Sequence, residues 1–185
     1  MENSMEKEKI KILIVDDVEV NLIILEEIIK NMGYCAVTAL SVADAIELLK
    51  DTGDLPRVIL SDISMPDIDG FSFCTMLKKN PYTRDIPVIF ISAMDQAADR
   101  SQGFELGAVD YINKPFDRTE VELRINTHLK VYMLQKELEE NNRRLSRIVT
   151  RHMEKMHKEQ KNIMIALARL IELKEEMASD EKQNN

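Results

Sequence analysis

KILIVDD, residues 11–17, decides the fold. Lys11–Val15 is almost wholly aliphatic and then stops at two carboxylates, Asp16 and Asp17. A short continuous apolar run is the mark of a strand buried on both faces, since a half-exposed strand would alternate. Similar runs follow. Val58–Leu60 (VIL) leads into Ser61 and Asp62 and Val88–Ile91 (VIFI) into Ser92, while Cys35–Ala39 and Val109–Ile112, the latter followed by Asn113, Lys114 and Pro115, are further short strands.

Between these runs the period changes. Glu19–Met32 carries Leu22, Ile23, Leu25, Ile28 and Ile29 along one helical face and stops at Gly33. Ser41 caps a helix reaching about Lys50, with Ala43, Ala45, Ile46, Leu48 and Leu49 along it. Pro66 and Gly70 punctuate a loop before a helix over Phe71–Lys79, and Gln96–Leu106 is a helix closed by Gly107. Five strands alternating with helices predict an α/β fold, a parallel sheet covered on both faces with right-handed crossovers.

The 185 residues suit one domain with an extension, and 44% apolar content is enough for a core. With aromatics at 5% and no Trp, that core is mostly aliphatic. Cys35 and Cys74 are far apart and form no CxxC, so neither a disulfide framework nor a zinc site is expected. The charged start, MENSMEKEKI, has no apolar signal region, and no apolar run approaches the roughly 20 residues of a membrane span. A cytoplasmic, soluble protein is expected. The net charge of −8 is uneven: residues 1–116 hold 11 basic and 20 acidic residues, the remainder 14 and 13. The acidic front disfavours nucleic acid as a direct ligand.

Ligands of an open parallel sheet bind outside the carboxyl ends of its strands. Those ends carry Asp16, Asp17, Asp62, Ser92 and, just beyond the last strand, Lys114. Three carboxylates cannot all stay ionised together unless a cation joins them. An all-oxygen, partly open site suits Mg2+, with Lys114 as a second positive charge. Such a set can carry phosphoryl transfer, with Asp62 attacking in line and an acyl phosphate as product. Taken singly, each element has a bland reading: a helix cap, a turn serine, a loop Lys-Pro. The convergence of four strand ends is what favours chemistry.

Ile14–Asp17 (IVDD), Ser61–Gly70 (SDISMPDIDG), Ser92-Ala93 and Lys114-Pro115 together resemble the response-regulator receiver family of two-component signalling. The resemblance covers about residues 9–130 and implies a flavodoxin-like, doubly wound sheet of order 2-1-3-4-5. It implies Asp62 as phosphoacceptor, taking its phosphoryl group from a sensor histidine kinase or phosphotransfer protein. It further implies Asp17 and Asp62 as direct Mg2+ ligands, Asp16 acting mainly through water, and the Ser64 backbone carbonyl as a further ligand. Ser92 would be the switch hydroxyl, Lys114 the phosphate partner, Tyr111 the switch aromatic, and the peptide before Pro115 cis. A half-buried edge aromatic is the alternative reading of Tyr111. On this reading the chain is a phosphoacceptor rather than an enzyme acting on other substrates.

From Asp117 to Asn185 there is no Gly or Pro. Apolar residues recur three or four apart: Val131, Leu134, Leu138, Leu145, Ile148, Met156, Ile163, Leu167, Leu170 and Met177, with Asn141 and His152 also on the seam. The steps Ile148–His152–Met156 look like a stutter. A helix from Asp117 to about Met177 would be roughly 90 Å long and needs a partner. A parallel coiled-coil homodimer over 131–178 is expected, with Asn141 fixing register, and with disordered tails at 1–8 and 179–185. His152 and His157 lack the directly following acidic residue usual at phosphotransfer histidines, and read as a seam and a surface histidine.

KELEENNRRL and Ile165–Glu176 (IALARLIELKEE) are similar to the linker and first helix of HD-GYP cyclic-di-GMP phosphodiesterases. That resemblance implies an alternative, the regulatory part of such an enzyme without its catalytic domain. None of His128, His152 and His157 is followed by Asp, so no phosphodiesterase activity is expected here. A DNA-binding regulator ranks last, because the tail lacks a basic excess and helix-turn-helix punctuation.

Overall fold

The computed structural model describes residues 10–93 and 97–183, and the side chains of 10–93 and 101–170. The elements are β1 (Lys11–Val15), α1 (Glu19–Asn31), β2 (Cys35–Ala39), α2 (Val42–Leu48), β3 (Val58–Asp62), α3 (Gly70–Lys79), β4 (Val88–Ser92), α4 (Ala97–Glu105), β5 (Asp110–Asn113) and α5 (Arg118–Gln183). The sheet is parallel, in the order β2-β1-β3-β4-β5.

Alternate residues of the strands enter two separate cores. Leu13, Val15, Ile59, Val88, Phe90 and Tyr111 join Val42 and Ala45 of α2 and Phe73, Cys74 and Leu77 of α3 on one face. Ile12, Ile14, Val58, Leu60, Ile89, Ile91 and Ile112 join Leu22, Leu25, Ile28 and Ile29 of α1 and Val121, Ile125 and Leu129 of α5 on the other. Period-two side chains therefore fill two layers, which is why the strands could not afford polar positions.

Helix ends follow local chemistry. Ser41 accepts from the Asp44 backbone N–H at 3.1 Å and caps α2, and Asp69 caps α3 through the Ser72 N–H at 2.7 Å. Gly33 (φ 83°) and Gly107 (φ 95°) follow α1 and α4 in the left-handed region. Several predicted boundaries shift. Helix α2 stops at Leu48 rather than Lys50, and β5 occupies Asp110–Asn113 rather than Val109–Ile112. Gln96, expected to open α4, lies outside the described residues. Of the two cysteines, Cys74 is buried and Cys35 only partly so; both are free.

The chain divides into two compact units at Gln135/Lys136, beyond the boundary expected at 130. Leu129 and Tyr132 are still buried in the first unit, which accounts for the difference. In the second unit the helix continues to Gln183. Residues 179–183 are thus helical where a disordered tail was expected, as no Gly or Pro interrupts them. The tails at 1–8 and 184–185 lie outside the described residues. The seam residues Leu134, Leu138, Leu145, Ile148, Met156, Ile163, Leu167 and Leu170 are 50–62% exposed, and Asn141 and His152 are exposed beside them. The side chain of Met177 lies outside the description. Among the described residues no helix is long and apolar enough to cross a membrane.

Candidate phosphoryl-accepting site

The parallel register sets β1, β3 and β4 side by side, with Val15 opposite Ser61 and Asp62 opposite Ile91. Each strand ends at the same edge, so Asp16, Asp17 and Asp62 converge. Carboxylate oxygens of the three lie within 4.8 Å of one another. Asp16 is fully buried, Asp62 nearly so, and Asp17 is exposed. Lys114 bridges the buried pair: its Nζ donates to Asp62 Oδ2 at 2.7 Å and lies 2.9 Å from Asp16 Oδ2.

Lys114 arrives there through the peptide that follows β5. Its backbone N–H donates to the Ser92 carbonyl at 2.9 Å, and the Lys114–Pro115 peptide is cis, as expected. Ser92, the last residue of β4, is buried at the same edge. Ser64 is exposed, and its N–H makes a long 3.4 Å approach to Asp62 Oδ1.

Asn21, outside the expected set, and Gly70, expected there as a structural loop residue, shape the site. Asn21, in the first turn of α1, donates from Nδ2 to Asp16 Oδ1 at 2.9 Å and Oδ2 at 3.0 Å. The Val18 N–H adds a bond to Oδ1 at 2.9 Å, so Asp16 is held from behind. The signal was available: an amide side chain one helical turn past a strand-end carboxylate can fold back onto it. Gly70 packs onto the end of β3. A β-carbon there would lie 2.2 Å from the Asp62 carbonyl oxygen and 2.9 Å from Ile63 Cα. Its N–H donates to the Ile63 carbonyl at 3.0 Å, while Pro66 accepts from the Ile68 N–H at 2.7 Å within the intervening loop.

Burial pushes the Asp62 carboxyl above its ordinary range, and Lys114 only partly opposes that. Lys114 is pulled down by burial, but its bonds to Asp62 and Asp16 outweigh this and leave it raised. One ammonium among three carboxylates leaves two negative charges uncompensated. An all-oxygen set of that charge fits a hard divalent cation, with Asp17 on the solvent side where such an ion could enter.

Tyr111 is buried rather than half-exposed on its edge strand. Its ring lies 5.5 Å from Phe90 and 5.4 Å from Phe104, centroid to centroid.

The sequence pattern of the response regulator receiver domain matches residues 12–126, more than half of the chain. The chain belongs to this receiver family. The receiver is 44% identical over 107 residues to the response regulator PleD of Caulobacter vibrioides, a match covering 58% of this chain and 23% of PleD. It is 40% identical over 122 residues to ycf27 of Guillardia theta, named for transcriptional regulation, covering 66% of this chain and 46% of that protein. The chain thus spans less than half the length of these relatives. Among solved structures, the signal receiver domain of a histidine kinase from Syntrophus aciditrophicus superposes with a TM-score of 0.59 at 32% identity, covering 65% of this chain and 89% of that one.

Proposed function

We propose that the receiver takes a phosphoryl group from a phosphohistidine onto a carboxylate oxygen of Asp62, in a Mg2+-dependent reaction in the cytoplasm. The observation that carries this reading is Lys114, held between Asp62 and Asp16 with the exposed Asp17 alongside. A bond forms between an Asp62 oxygen and phosphorus as the phosphorus–nitrogen bond breaks, and the electron pair leaves with the imidazole. Burial raises the basicity of the Asp62 oxygens and so favours their attack. Asp16, Asp17, Asp62 and the Ser64 carbonyl would hold the magnesium ion, which supplies neutralisation of charge on the phosphoryl oxygens. Lys114, already bonded to Asp62 Oδ2, is placed to turn its Nζ toward the incoming phosphoryl group.

The Ser92 hydroxyl then binds a phosphoryl oxygen and Tyr111 is held in the buried position it has in the structure. Helix α5, whose Val121, Ile125 and Leu129 pack on the sheet, passes the change on. The exposed seam of α5 is covered by a second copy of the chain in a coiled-coil homodimer. The HD-GYP alternative rests on likeness of the tail alone.

The test is labelling by acetyl phosphate with Mg2+. Wild type should label and Asp62→Asn should not; labelling that survives moves the phosphosite elsewhere. Light scattering at micromolar concentration should give a dimer for the full chain, and a monomer there ends the coiled-coil reading.

A further inference from the structure

The ring of Tyr111 lies flush against the backbone of α4 at Gly103. A β-carbon built on Gly103 would sit 1.7 Å from the Tyr111 hydroxyl oxygen, 2.8 Å from Tyr111 Cζ and 3.0 Å from Phe90 Cε2. The first two distances are far inside any non-bonded contact. Relief cannot come from Phe90, which is fully buried in the core. Phe104, which also packs against the Tyr111 ring, is 51% exposed and free to give way. Within α4, alanine would be the better helix former, so glycine stands here against local preference.

We propose that Gly103 is a positioning residue for the aromatic switch. It forms the floor of the slot that Tyr111 occupies, and the inward state exists because residue 103 has no β-carbon. This rests on reading Tyr111 as a switch. Any side chain at 103 turns the Tyr111 ring out of this slot whatever the state of Asp62. Chemistry and output would then separate. Asp62 would still accept phosphate, since the atoms nearest the added β-carbon belong to Tyr111 and Phe90.

The full chain is labelled with 3-fluorotyrosine, the Tyr111 resonance is assigned with Tyr111→Phe, and fluorine NMR spectra are recorded with and without Mg2+ and fluoroberyllate. Gly103→Ala should move the Tyr111 resonance to a solvent-exposed position, make it indifferent to fluoroberyllate, and leave acetyl phosphate labelling at the wild-type rate. Thermal unfolding supplies a second arm. Gly103→Ala should lower Tm when Tyr111 is present and lower it much less in a Tyr111→Ala background, where the 3.0 Å approach to Phe90 Cε2 is the close contact that remains. An unchanged Tyr111 resonance in Gly103→Ala, or an equal fall in Tm in both backgrounds, overturns the proposal. A wild-type resonance that ignores fluoroberyllate sinks the switch reading itself, whatever the variant does.

Discussion

Replacing Lys114 with methionine removes the one ammonium between two buried carboxylates and keeps the stem's volume. Its Nζ is 2.7 Å from Asp62 Oδ2 and 2.9 Å from Asp16 Oδ2. At an effective dielectric of about 20, each contact is worth roughly 6 kcal/mol of attraction. Two carboxylates within 4.8 Å repel by about 3.5 kcal/mol or more on the same scale. Desolvation of the lysine offsets much of the attraction, and breaking a buried pair from one side typically costs about 3–5 kcal/mol. With the lysine side chain 19% exposed, the expected loss is at the low end, about 3 kcal/mol at pH 7. For a unit of this size that is a fall in Tm of about 10 °C.

The pH dependence has a definite sign. Burial, the largest influence on Asp62, raises its pKa, and the Lys114 bond is the main opposing one. Without Lys114 the rise is larger. A carboxyl whose folded pKa lies above its unfolded value binds more protons when folded, so stability increases as pH falls through that window. The cost of Lys114→Met should therefore shrink from pH 7 to pH 5, and Mg2+ should restore part of it at pH 7. Urea unfolding of wild type and variant at both pH values measures this. A cost below about 1 kcal/mol at pH 7, or one that does not fall at pH 5, refutes the charge-balance reasoning.

Gly70→Ala should destabilise by about 1–3 kcal/mol and slow Asp62 labelling, because the obstructing atoms are backbone of Asp62 and Ile63 and cannot step aside. Urea unfolding with a parallel labelling time course checks both. Asn21→Ala frees both oxygens of Asp16 from their amide partner and should weaken Mg2+ binding by roughly tenfold, measured by titration calorimetry. Leu145→Glu places a charge in the exposed seam and should turn a dimer into a monomer in sedimentation while leaving Asp62 labelling intact; a variant that stays dimeric argues against this seam.

The strand-end residues were legible because their positions follow from chain order. A strand buried on both faces must be continuous and aliphatic, so Lys11–Val15, Val58–Leu60 and Val88–Ile91 announced themselves, and Asp16, Asp62 and Ser92 came with them. Asn21 and Gly103 were not singled out. Each acts on a residue in another element, at a distance set by packing rather than by spacing. Helix α5 was legible from the absence of Gly and Pro, while its C-terminal extent past Ser179 was underestimated from polarity alone.

What the sequence by itself determined was the alternation of elements and the charge gathered at strand ends, because hydrophobic period and chain order are local properties. Only the tertiary structure decided that Lys114 stands between Asp16 and Asp62, that Asn21 holds Asp16 from behind, and that the Tyr111 ring rests on Gly103. Those contacts join residues brought together by sheet register and helix packing. Their distances depend on the summed packing of both cores, which no single stretch of sequence contains.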